Sequence, residues 1–109
     1  MAGNPHRGEV SLVMNGRTHG LRLTLGALAE LEASLKADSL IELVQRFEKA
    51  TFSSRDIIAL LIAGLRGGGW QGDPEELQNA DIQGGPQHAA QVAALLLHRA
   101  FGVQNPGSP

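Results

Sequence analysis

The segment SSRDIIALLIAGLRGGG, residues 53–69, constrains the fold more than any other part of the chain. It opens with Ser53 and, three positions on, Asp56, a capping-box-like pair in which each side chain answers the other residue's backbone N–H. Phe52, just before the cap, is placed to staple onto Ile57. Residues 57–65 are apolar nearly all round, as expected for the central helix of a bundle. Gly67 or Gly68 is expected to end the helix in a left-handed conformation, with Arg66 well placed against the dipole in the last turn. A chain built around such a helix must supply covering elements on most of its sides.

Those elements can be read on either side of it. Upstream, Asn15-Gly16 sits between two alternating runs, and a type I′ turn needs positive φ at both central positions. That turn pairs Met14 with Arg17, Leu12 with His19 and Val10 with Leu21. One face then carries Val10, Leu12, Met14, Leu21 and Leu23, and the other carries Glu9, Ser11, Thr18 and Arg22, with Val13 its only apolar member. A lone hairpin is marginal in water, so its apolar face must rest on helices. The first helix is expected over residues 24–37, with Thr24 as N-cap and Leu25, Leu28, Leu31 and Leu35 at helical spacing. A second starts at the capping box Ser39-x-x-Glu42, backed by Leu40, Ile41, Leu43, Val44 and Phe47. Downstream, Asp73 caps a short helix over 74–79, with Pro74 at its first position and Glu75 and Glu76 against its dipole. The sequence DIQGGP breaks that helix, and Pro86 or Gln87 opens the last one, which presents Val92, Leu95, Leu96 and Phe101.

The expected fold is mainly α: a small bundle of four to five helices with an N-terminal two-stranded β-hairpin. Residues 1–8 are expected to form a flexible arm, 9–102 one domain and 103–109 a flexible tail. At 109 residues there is no room for a second core. Aromatic residues make up only 4% of the chain, so the core falls to Leu, Ile, Val and Ala, which favours helix. The absence of cysteine removes disulfides, thiolate ligands and thiol nucleophiles, and fits a reducing cytoplasm. MAGNPHRGE has no apolar run, so no secretory signal is expected. The apolar stretch starting at Ile57 is about half the roughly 20 residues of a membrane span, so no membrane partner is expected.

The chemistry-bearing patterns have structural readings. Gly67-x-Gly69-x-x-Gly72 matches a dinucleotide-binding fingerprint, but such a loop follows a strand in a βαβ unit, and here a helix precedes it. His6, His19, His88 and His98 offer no pair at helical ligand spacing, so no metal or other cofactor is expected. Glu30 with Glu32, and Glu75 with Glu76, point apart on a helix. Ser53 and Ser54 are caps with no ordered His and Asp behind them, so no catalytic residue is assigned and the chain is not expected to be an enzyme. A helix-turn-helix reading fails because the would-be reading helix is apolar and the net charge is −2, so nucleic acid is not an expected partner. Binding through surfaces remains. Trp70 either closes the edge of the core or meets a partner. Leu95, Leu96 and Leu97 wrap more than one face of the last helix: either all three are buried, or one stays exposed as the wall of a groove. The candidate partner-binding residues are Leu96, Leu97, Phe101 and Trp70.

The stretch NPHRGEV, followed by the hairpin, then LRLTLGALAELEASL and RFEKATFSSRDIIALLIAGLRGGG, resembles the gene transfer agent family of small tail proteins, also placed among the phage tail assembly chaperones. The resemblance covers roughly residues 4–101 and is most specific in residues 23–32 and 53–69. It implies a part in building the tail of a phage-like particle. In related systems such proteins are thought to hold the tape-measure protein, and tail tube subunits, until the tube polymerises. The family is also described as a tail tube component, so chaperone and structural part are rival expectations; nucleotide or nucleic-acid binding is the remote third. A tube subunit normally closes a sizeable β-sheet into a ring, whereas strand signal here is confined to one hairpin. Trp70 departs from the polar or His-containing loop that follows the triple glycine in relatives.

Overall fold

The computed structural model describes residues 10–35 and 39–101. The expected arm and tail lie outside these residues, as does the end of the first helix beyond Leu35. The element order is β1 (Val10–Met14), β2 (Arg17–Leu21), α1 (Leu25–Leu35), α2 (Leu40–Glu48), α3 (Ser54–Gly67), α4 (Pro74–Gln78) and α5 (Gly85–Ala100). The architecture is the expected one, a mainly helical domain with an N-terminal hairpin.

The hairpin has the register that its turn dictates: Val10 opposite Leu21, Leu12 opposite His19 and Met14 opposite Arg17. Asn15 and Gly16 take φ of 54° and 80°, the positive values a type I′ turn requires. Val10, Leu12, Met14 and Leu21 are buried on one face while Ser11 and Thr18 face solvent. That apolar face is covered by α3 and α5.

α3 is the hub, packing against α1, α4, α5 and β2. The side chains shut off most completely from solvent are all leucines, Leu12, Leu21, Leu31, Leu43, Leu60, Leu65 and Leu96, so both strands and four of the helices meet in one aliphatic core. Each such side chain contributes about 1.5–3 kcal/mol by leaving water. In α1 the Thr24 hydroxyl accepts from the Ala27 N–H, the expected cap. Its apolar row is only partly used: Leu31 and Ala27 are buried, but Leu25, in the first turn, is 84% exposed. Both capping boxes form, with Ser39 answering Glu42 and Ser53 answering Asp56.

Three details correct the sequence reading. The left-handed glycine after α3 is Gly69, at φ 106°, and neither Gly67 nor Gly68. Those two are needed for space: a Cβ on Gly67 would strike the Arg22 carbonyl oxygen, and one on Gly68 the Gly20 carbonyl oxygen. Asp73 stands at the start of α4 but makes no side-chain cap bond; Pro74 and the acidic first turn carry the start instead. α5 begins at Gly85, ahead of the expected Pro86 or Gln87, behind the left-handed Gly84 at φ 91°.

The linker between α4 and α5 does more than break a helix. Ile82 forms an antiparallel bridge with Met14, so this segment extends the outer edge of β1. The Asn15 N–H donates to the Asp81 carbonyl at 2.8 Å and the Gln83 N–H to the Val13 carbonyl at 3.0 Å. The Asn15 side-chain oxygen accepts from the Asp81 N–H at 2.9 Å.

Candidate functional site

Two apolar recesses border the two ends of α5. At its start, α3, α4 and α5 enclose a cleft of about 340 Å³. Buried Leu61, Leu77 and Ala89 lie at its base, with half-buried Ile57, Ile58 and Ile82 around them. At its end, α5 and α2 leave a smaller recess of about 190 Å³ between Val44, Phe47, Ala94, Leu97 and Phe101.

The three adjacent leucines resolve against these surfaces. Leu96 is wholly buried, facing the hairpin and α3, where its side chain lies against Gly64. Leu97 is 4% exposed and forms part of the recess beside α2. Leu95 is the one left in contact with solvent, at 38%. Leu96 is therefore a core residue without a surface to offer a partner, because the i to i+4 row it shares with Val92 points into the domain. Phe101 is 44% exposed at the end of α5 and borders the recess.

Trp70 is half-buried and packs on the core from the loop after α3. It also borders a third recess, of about 390 Å³, with Arg17, His19 and Glu76. Gly72 lets the ring lie down, since a Cβ there would run into the indole and the Glu76 carboxylate. The residue thus closes the edge of the core and keeps one face outward.

The glycine loop does not present a phosphate cradle. The Gly68 N–H donates to the Gly64 and Leu65 carbonyls, Gly69 to Arg66, and Trp70 to Leu65. The donors that would meet a phosphate turn back into their own helix, the behaviour of a C-cap.

The most constrained ionisable group is Asp56, and its work is structural. Both carboxylate oxygens accept from Arg46, Nε and Nη2 at 2.9 Å each, and one also accepts from the Ser53 N–H at 2.9 Å. Burial alone raises the carboxyl pKa, but the Arg46 and Ser53 hydrogen bonds and the guanidinium charge outweigh it and hold Asp56 below the ordinary carboxylate value. No group of three or more His, Cys, Asp or Glu among the described residues could hold a metal ion. No helix among them is long and apolar enough to cross a membrane.

The sequence reading missed two residues that shape these surfaces. Arg46 pairs with an acid ten positions away, and Ile82 meets a strand far earlier in the chain. The only available signal for the second was an isolated isoleucine between turn formers.

Fold and surfaces together define a small, mainly helical domain with an N-terminal hairpin and apolar recesses at both ends of its last helix. The sequence model of the family described as "Phage tail tube protein, GTA-gp10" matches residues 7–103. The chain belongs to that family of gene transfer agent tail proteins. No curated protein and no solved structure matches it.

Proposed function

We propose that this tail protein is an assembly chaperone, acting without catalysis in the cytoplasm of the assembling cell. It holds the tape-measure protein, or tail tube subunits, until the tube polymerises. The observation that supports this best is the pair of apolar recesses at the two ends of α5. Unassembled tape-measure helices carry apolar faces that aggregate in water, and recesses between helices shelter such faces in the helix-in-groove mode. The surface residues assigned to contact are Phe101 and Trp70, with Leu97 at the base of the recess.

The rival reading, a structural component that stays in the tail, is favoured by the family description itself. Mass spectrometry of purified particles separates the two. A chaperone is present in the producing cell and depleted from particles; a copy number in particles comparable to the tube protein sinks the chaperone reading. Co-expression with the tape-measure protein, followed by size-exclusion chromatography, tests the partner. Phe101→Asp is expected to leave the fold intact and weaken co-elution, whereas Leu96→Asp unfolds the domain by burying a charge.

A further inference from the structure

We propose that the cleft between α3, α4 and α5 is the seat for a large apolar side chain of a basic amphipathic helix on the partner. This rests on the chaperone reading and specifies the partner's chemistry.

The cleft's volume of about 340 Å³ lies at the small end of the roughly 300–1,000 Å³ of ligand pockets. It holds one or two leucine-sized side chains. The base formed by Leu61, Leu77 and Ala89 offers nothing to orient a polar ligand. The wall at residues 80–82 is fixed in advance. Asp81 is held through its backbone by both the N–H and the side chain of Asn15, and Ile82 is bridged to Met14. A recess already shaped needs little ordering when a side chain enters it.

Two observations select a helix carrying positive charge. First, the edge of β1 beside the cleft is already paired with residues 81–83, so an extended peptide cannot add there as a strand. Helical walls leave side-chain insertion as the available mode. Second, Asp81 is the only charged residue lining the cleft, and it is exposed. The stretch 67–87, which supplies α4 and the cleft's outer wall, contains Asp73, Glu75, Glu76 and Asp81 and no Lys or Arg. Glu76 borders the neighbouring recess with Arg17 and His19, so Asp81 is the acid that meets an occupant of the cleft. Of the neighbouring bases, Arg55 borders the polar recess between α2 and α3, and His88 lies against Gly84. A helix bringing a leucine into the cleft with Lys or Arg about one turn away meets complementary charge.

The test uses the full chain and two synthetic peptides of about 18 residues, five helical turns. One is an amphipathic Leu/Lys helix, the other its Leu/Glu counterpart. Methyl NMR is expected to show the Leu/Lys peptide perturbing Ile57, Ile58 and Ile82 selectively, with the Leu/Glu peptide at least about fivefold weaker. Asp81→Lys, on the surface, should narrow or invert that preference, and Ala80→Phe, which fills the cleft, should lower affinity about tenfold or more. Thermal melting checks the fold of each variant; if Ala80→Phe does not fold, Asp81→Lys carries the test. Equal binding of both peptides, or perturbation centred on Val44 and Leu97, overturns the proposal. So do shifts of the same isoleucines with protein concentration alone, which would mean that a second copy fills the cleft. Tape-measure capture that both variants leave unchanged sinks the cleft and spares the chaperone reading. A peptide seated in the cleft, without capture of tape-measure or tube protein, does the reverse.

Discussion

α3 meets β2 and α2 along two seams that are held in opposite ways. Against β2 the contact is backbone on backbone: Gly67 and Gly68 lie on the carbonyl oxygens of Arg22 and Gly20, and the Arg22 N–H donates to the Gly64 carbonyl at 2.9 Å. Against α2 the contact is made by long side chains, the two-pronged Arg46–Asp56 pair and the stacked rings of Phe47 and Phe52, 4.4 Å apart. The first seam tolerates no added atom, because a backbone carbonyl cannot step aside. The second depends on charge, so solution conditions reach it.

The largest effect is expected at the first seam. Gly68→Ala keeps a backbone conformation any residue adopts, φ −89°, yet forces α3 away from β2. A loss of about 3 kcal/mol in denaturant unfolding is expected. Gly69→Ala, one position on, meets open space and bears only the left-handed backbone, about 1 kcal/mol. Equal losses at the two positions would show that conformation, rather than close approach, governs the seam.

At the second seam, Asp56→Ala removes the Arg46 partner and half of a capping box together, an expected loss of about 2–3 kcal/mol. The pH dependence follows from the lowered pKa of Asp56. A carboxyl held lower in the folded state contributes stability in full above its unfolded pKa, about 3.9, and loses it as pH falls through the folded value. The melting advantage of the parent over Asp56→Asn should therefore shrink below about pH 4. An advantage that persists through acid would mean that the pair is not what joins α2 to α3. The smallest effect is at the end of α2, where Ala50 takes φ 57°. Ala50→Gly is expected to change stability by no more than about 1 kcal/mol, in the stabilising direction.

The two seams also differ in how far sequence exposes them. Caps, turn and register were legible because they are local: Ser39 and Glu42, Ser53 and Asp56, and Asn15 and Gly16 satisfy one another within four residues. The glycine triplet was legible as a stop, but its first two members answer to carbonyls more than 40 positions earlier, which no local rule contains. Arg46 was invisible as a partner for the same reason. On the candidate surfaces, helical spacing limited the choice among Leu95, Leu96 and Leu97, but the direction of the core had to come from the hairpin's docking. The cleft was not legible at all, since its wall exists only where Ile82 finds Met14.

That joint has a consequence in time. Asn15 and Asp81 are 66 positions apart. At about 5–20 residues per second, a ribosome adds the turn residue Asn15 roughly 3–13 s before it reaches Asp81. Through that interval the cleft lacks its outer wall, and α5 has not yet been made. On the proposed chaperone reading, the cleft of a nascent copy would therefore have no seat for a client until translation has passed the last helix.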